Sequence, residues 1–420
     1  MKDYHSFNFL QDVYFVRTGG SEEELKAAKL IQKEVLKLGG KAKLEEFEVD
    51  ASNNKTAKLI FDDKIEVECA GAGYSGSTDI NGVKGEFIYL SSIEDLDFYS
   101  LKDKIVLVNS KRVPHKLYMR ALMDKALGFI VTTGDVYKDS KDVDLDPYLN
   151  REPDYKEGMI PTVMIRMRDA EKIIENMPKM ASLTLISEDF KNKSHNVVAE
   201  IKGSIYPDEV ITFSAHYDSV AFSKGIYDNA TGCITLLQIF NHFMDNKPKR
   251  TLKFIWCGSE EMGLLGSKAY TKKHEKELNE KALLNINIDM VAATLGHDIA
   301  CVTGDNSIVT YIQYASKELG FPIRVYQGVY SSDSTPFADK GIPAISFARL
   351  SDRGGAVIHS HDDVIERLSE GNYIKTYTFI IELVSRWVNA YKFPINKNIP
   401  DNMKDELDYY LLRKERPEKR

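Results

Sequence analysis

Three stretches of the chain share one pattern: an apolar, β-favouring run that ends on acidic or imidazole side chains. Residues 210–215 (VITFSA) stop at His216-Tyr217-Asp218 and lead on to Asp228-Asn229-Ala230-Thr231-Gly232. Residues 252–257 (LKFIWC) stop at Gly258-Ser259-Glu260-Glu261, and residues 283–288 (LLNINI) stop at Asp289. Buried parallel strands are apolar along their length and carry their chemistry at their carboxyl ends. The pattern therefore predicts an α/β fold with a mixed, mostly parallel central sheet flanked by helices, and a functional edge at these strand tips.

The rest of the chain is arranged around that stretch. Ser21-Glu22-Glu23-Glu24 predicts a helix start: the serine hydroxyl accepts from a free amide, Glu24 reaches back, and an acidic first turn suits the helix dipole. Leu25, Ala28, Ile31 and Val35 form an inward stripe that Gly39-Gly40 ends, and a strand follows around 41–49. From about 53 to 189 the runs shorten and no histidine clusters with carboxylates, which predicts a separate α/β domain inserted in the first. Within it, 104–108 and 127–131 are predicted strands with a helix at 117–126 between them, and 161–165 and 169–176 repeat the rhythm. Residues 135–158 predict a polar surface loop. Helices are expected at 232–244, 265–280 and 373–388, a strand, helix and strand within 299–326, and another buried strand at 341–347 leading towards His359. The predicted organisation is a discontinuous catalytic domain (1–52 and 190–395), the insertion (53–189), and a charged tail (396–420) that frays or lies on the surface.

With 420 residues and 43% apolar content the chain can build two sizeable cores. A net charge of -7 gives no basic face for nucleic acid or an anionic membrane. Cys69, Cys233, Cys257 and Cys301 are sparse and lack CxxC spacing, so they are expected as free thiols. The start, Met1-Lys2-Asp3-Tyr4-His5-Ser6, shows no basic stretch followed by an apolar one, and no 18-residue apolar run occurs. The expectation is a soluble cytoplasmic protein, with oligomeric state left open.

His216, Asp228, Glu261, Asp289 and His359 are the imidazoles and carboxylates that bind zinc-like ions, and all sit at strand ends or in the loops that follow. Asp218 is placed to accept the other N–H of His216. In Glu260-Glu261, adjacent side chains point apart, so one can hold metal while the other moves a proton. Each signal alone has a plainer reading: a single histidine after a strand is more often a satisfied polar group, Glu-Glu a solvated face, and Asp-Asn a turn. Their joint occurrence is what favours a metal centre. His5, His115, His195, His242, His274 and His297 are assigned structural roles.

In order along the chain, 196–203 (NVVAEIKG), 215–220 (AHYDSV), 228–232 (DNATG), 259–267 (SEEMGLLGS), 287–290 (NIDM) and 358–360 (IHS) resemble the M28 metallopeptidases, the co-catalytic dizinc aminopeptidases. The resemblance implies a zinc-exopeptidase fold and two Zn2+ ions per chain: His216 and Asp289 on one, Glu261 and His359 on the other, Asp228 bridging, and Glu260 as general base. It further implies a polarised scissile carbonyl attacked by a bridging water, and a peptide substrate with a free N-terminus. The insertion resembles a protease-associated domain, and a position over the active site would restrict substrates to short peptides. Two departures stand out. The last histidine lies in His359-Ser360-His361-Asp362-Asp363, where alignment of Asp363 selects His359 with His361 as rival. In Ser332-Asp333-Ser334-Thr335-Pro336-Phe337, Ser334 replaces the usual histidine. Alternatives on the same scaffold are a glutaminyl cyclase, a carboxypeptidase-type enzyme, or a non-catalytic binding homologue. The residues that select the substrate's first side chain lie on loops whose placement the sequence does not give.

Overall fold

The computed structural model describes residues 4–414 except 147, 151, 353, 354 and 412. The first three residues of the amino-terminal stretch and Glu415-Arg416 of the predicted tail lie outside the described residues. The chain forms two compact units, Met1–Val49 with Lys193–Arg420 and Asp50–Asn192. Both crossings fall inside long strands instead of at turns, so composition alone marks them only to within a few residues.

In the first unit, helix α1 (Glu22–Lys37) starts where expected, with the Ser21 hydroxyl accepting from the Glu24 amide at 3.0 Å. Strand β1 (Ala42–Phe61) and strand β2 (Met180–Ile201) each belong to this unit over part of their length. Next come β3 (Tyr206–His216), α2 (Thr231–Asp245), β4 (Arg250–Cys257), α3 (Leu265–Lys273), α4 (Glu275–Lys281) and β5 (Ala282–Ile288). Strand β6 (His297–Thr303), helix α5 (Asn306–Leu319), strand β7 (Ile323–Gln327), helix α6 (Ser334–Asp339), strand β8 (Ala344–Leu350) and helix α7 (Glu370–Asn389) complete the sheet and its cover. The strand order is β7-β6-β8-β5-β3-β4-β2. Pairs β7/β6, β8/β5, β5/β3 and β3/β4 are parallel, while β6/β8 and β4/β2 are antiparallel. The mixed, mostly parallel sheet is the predicted fold class. Its core stacks Phe213 on Phe254 at 4.8 Å, with Phe240, Trp256 and Trp387 fully buried around them.

The segment after Asn396 departs from the expected frayed tail. It forms helix α8 (Asp401–Tyr410), which buries Met403 and Leu407 with Ile399, Ala338 and Ala344. Ile399, Met403 and Leu407 recur every four residues, a thin apolar stripe inside a charged segment. Among the described residues no helix is long and apolar enough to cross a membrane.

The second unit is built on parallel strands Val83–Leu90, Lys104–Val108, Gly128–Thr133 and Thr162–Arg166. Alternate residues feed two cores: Val106, Phe129, Val131 and Met164 on one face, and Ile105, Leu107, Ile130, Val163 and Ile165 on the other. Helices His115–Asp124 and Met167–Asn176 follow the predicted rhythm. The expected polar loop at 135–158 instead contributes Val143, Leu145 and Tyr148 to the interior and contains a short helix, Glu152–Tyr155.

Candidate metal centre

Parallel register brings the three strand tips together. Cys257 pairs with His216 across β4 and β3, and Asn287 with Ser214 across β5 and β3. The residues just beyond β4 and β5, Glu260-Glu261 and Asp289, therefore emerge at the edge where β3 delivers His216. Beside β5, the main chain of Phe347 in β8 accepts from the Asp289 amide at 3.0 Å. Asp228 enters from an irregular turn, Ile226–Ala230, that runs directly into α2.

Two ligand-competent groups result, His216 with Asp228 and Asp289, and Asp228 with Glu261 and His359; in each, the donor atoms lie within 4.8 Å of one another. His216 Nε2 stands 3.1 Å from Asp228 Oδ1 and 3.6 Å from Asp289 Oδ1. His359 Nε2 stands 3.2 Å from Asp228 Oδ2 and 3.1 Å from Glu261 Oε2. Asp228 thus turns one oxygen to each group. Two ligands each bonded at about 2.0 Å to a tetrahedral ion lie roughly 3.3 Å apart. The observed spacing fits a metal on each side of Asp228.

Orphaned atoms and electrostatics agree with that fit. Asp289 Oδ1 and Glu261 Oε1 are buried with no hydrogen bond, a costly state for a carboxylate without a cation. Burial alone would lower the His216 pKa, but Glu260, Asp218, Asp228 and Asp289 hold it well above the ordinary range. His359 is likewise pushed up to about 10 against the effect of burial, by its hydrogen bonds to Asp228 and Glu261. Burial, and then the Asp228 charge, pushes the Glu261 carboxyl up to about 7. In Glu260, burial raises the carboxyl well above its usual range, and Glu261, Asp333 and Asp289 act in the same direction against His216. A cluster that needs protons on its imidazoles to balance its carboxylates is one a dication suits.

Buried side chains hold the loops that present these groups. Asp218 accepts from the amides of Glu260 (2.9 Å) and Glu261 (3.1 Å), and its Oδ1 faces His216 Nδ1 at 3.5 Å. Besides facing the imidazole as the sequence predicts, it fixes the backbone of the Glu-Glu pair. Asp363 accepts from the amides of Tyr227 (2.6 Å) and Asp228 (3.1 Å). Glu24 goes further than a helix cap: it takes the Gly20 amide at 2.7 Å and, inside the unit, the Ser194 hydroxyl together with the amide and hydroxyl of Ser259. Ser259, Met290 and His359 have φ of 52°, 60° and 55°. Left-handed backbone at non-glycine residues costs about 1–3 kcal/mol each and tends to gather at functional loops.

His359 faces the cluster, whereas His361 is half exposed and lies 3.7 Å from Asp362. The other histidines stand elsewhere, His274 beside Glu45 and His115 beside Asp154. Ser334 accepts from the Ser346 hydroxyl at 2.8 Å, and Ser332 from the Asn287 side chain at 3.0 Å, so this segment packs on the sheet beneath the cluster. The sequence gives no role to two further groups, Tyr330 and Asp333. The Tyr330 hydroxyl is buried without a hydrogen bond and feels the charges of Asp289 and Asp228. Burial pushes the Asp333 carboxyl up to about 7, with the Asp218 and Asp289 charges acting in the same direction. Both lie in a serine-rich loop with no periodic pattern to reveal them.

Imidazoles and carboxylates converge at the central strand tips of a mostly parallel α/β sheet, and likeness to known proteins gives the class, a hydrolase of the metallopeptidase type. The model of peptidase family M28 matches residues 196–384 of the chain. Aminopeptidase YwaD of Bacillus subtilis (strain 168) is 27% identical over 415 residues, spanning 96% of this chain and 87% of that protein. Carboxypeptidase Q of Xenopus laevis is 30% identical over 262 residues, but the match spans only 56% of this chain and 52% of that protein. Among solved structures, BSAP, a zinc aminopeptidase from Bacillus subtilis, shares the fold with a TM-score of 0.76 at 23% identity, covering 94% of this chain and 98% of that one.

Proposed function

We propose that this peptidase is an aminopeptidase that removes N-terminal residues from peptides with two zinc ions, held by His216 and Asp289 on one side, Glu261 and His359 on the other, and Asp228 between. The observation that carries the reading is the two-sided Asp228 carboxylate, with an imidazole and a second carboxylate on each flank at zinc-ligand spacing. The likeness to YwaD, which extends over most of both chains, supports the choice of aminopeptidase. When bound, the ions would supply Lewis acidity and a water of lowered pKa. Glu260 is the general base: it adjoins Glu261, its amide is fixed by Asp218, and its carboxylate would take a proton from the attacking water and return it to the leaving amine. Asp218 orients both His216 and the Glu260 backbone.

Glu260→Ala is expected to retain two zincs per chain, measured by plasma mass spectrometry, and to lose nearly all hydrolysis of an aminoacyl p-nitroanilide. Unchanged turnover would contradict the base assignment, and metal content near zero in unchelated wild type would favour a binding homologue. The match to carboxypeptidase Q keeps a carboxypeptidase-type activity as the second reading. Mass spectrometry of peptides blocked at one terminus or the other separates the two, since only the aminopeptidase requires a free α-amine.

A further inference from the structure

Arg17 lies outside every element that carries a candidate ligand, yet its residue is only 1% exposed. Its guanidinium donates to main-chain carbonyls: Nε to Tyr217, Nη1 to Lys224 and, at 3.2 and 3.1 Å, to Val13 and Phe15, and Nη2 to Gly225 at 2.7 Å. Its backbone joins the same segment, with the Arg17 amide donating to Ser219 Oγ and the Ser219 amide to the Arg17 carbonyl, both at 3.1 Å. Tyr217 follows His216 directly, and Gly225 precedes Asp228 by three residues. One cation therefore grips both ends of the loop that separates two of the metal-facing side chains. Asp363 holds that loop from the opposite sense, taking the amides of Tyr227 and Asp228.

Burying a guanidinium is expensive, and an apolar side chain would fill the space at less cost if packing were the only need. What an apolar residue cannot supply is a rigid fork of five N–H groups that ties together carbonyls from separate segments; a lysine ammonium, with three donors on a flexible stem, supplies it poorly. We infer that Arg17 is a positioning residue for the metal centre. It fixes residues 217–225 and with them the 3.1 Å approach of His216 Nε2 to Asp228 Oδ1. A loop held in this way would have less ordering left to do when an ion binds. This inference rests on the metal-dependent reading proposed above.

The test is zinc affinity of the metal-stripped full chain, measured by chelator competition for wild type, Arg17→Met, Arg17→Lys and a control, Val388→Ala, which opens a core cavity in α7. Supporting groups around metal ligands change affinity by about 10–100-fold, and a loss in that range is expected for both Arg17 variants. Hydrogen exchange in the metal-free state should quicken at 217–229 in those variants. Val388→Ala should melt earlier while keeping wild-type zinc affinity. Should Arg17→Met fail to fold, Arg17→Lys carries the comparison. Zinc affinity within threefold of wild type in the folded Arg17 variants, or an equal loss in Val388→Ala, overturns the inference alone. A wild type that takes up no zinc overturns the metal-dependent reading and this inference with it.

Discussion

Replacing Asp218 by asparagine tests whether the Glu-Glu pair is held from behind. Asp218 is fully buried, and its two oxygens accept from two consecutive amides, Glu260 at 2.9 Å and Glu261 at 3.1 Å. An asparagine side chain has a single carbonyl oxygen, and its NH2 is a donor. Whichever way it is turned, one of the two amides meets another donor and loses its acceptor. Leaving a buried donor unsatisfied costs about 1–3 kcal/mol, and the backbone can escape that cost only by moving Glu260 or Glu261. If the movement falls on the reacting geometry, the loss of kcat/KM is about 10–100-fold, equivalent to about 1.4–2.7 kcal/mol. The assay is steady-state hydrolysis of an aminoacyl p-nitroanilide by protein of matched metal content, with a thermal melt alongside. A kcat/KM within threefold of wild type at full metal content would refute the reasoning, because it would mean that the pair is held without this carboxylate.

His359→Ala should lose zinc and most activity, whereas His361→Ala should keep both; the opposite pattern in metal analysis would reverse the choice between them. Glu45 is driven down to about 2 from an ordinary 4.5, first by its hydrogen bond to His274 and also by Lys273. Because its folded pKa lies below its unfolded one, the stabilisation is present above about pH 4.5 and lost as pH falls towards 2. His274→Gln should therefore flatten the fall in unfolding free energy from urea titration between pH 5 and pH 3, by on the order of 1–2 kcal/mol; an unchanged profile would refute the pairing. Leu407→Ala should destabilise the first unit by about 2 kcal/mol, at the low end for a buried leucine, seen as an earlier melt; an unaltered melt would mean that α8 does not pack as described.

The legible features were those with a period or an order. Apolar runs ending on ligand-type residues at 216, 260–261 and 289 announce parallel strand tips, and parallel register then makes them neighbours. Long-range polar contacts leave no such trace. Nothing local to Glu24 announces that it reaches Ser259, because a capping glutamate explains the same letters. Nothing near Asp218 marks the Glu260 and Glu261 amides as its partners. The residues at 135–158 and 396–420 are dominated by charge, which masks the few apolar positions that pull them inward, Leu145 and Tyr148 in one and Met403 and Leu407 in the other. The unit boundaries at 49/50 and 192/193 lie within strands, so no turn marks them.

The separation in sequence between Arg17 or Glu24 and the loops they hold, about 200 residues or more in each case, has a consequence for synthesis. All of Asp50–Asn192 is synthesised before the first candidate ligand, so that unit can fold while the ribosome is still working. The hydrolytic centre cannot. Its bracing residues leave the ribosome first, its imidazoles and carboxylates much later, and α8 later still, so the nascent chain carries the parts of a peptidase long before it carries a working one.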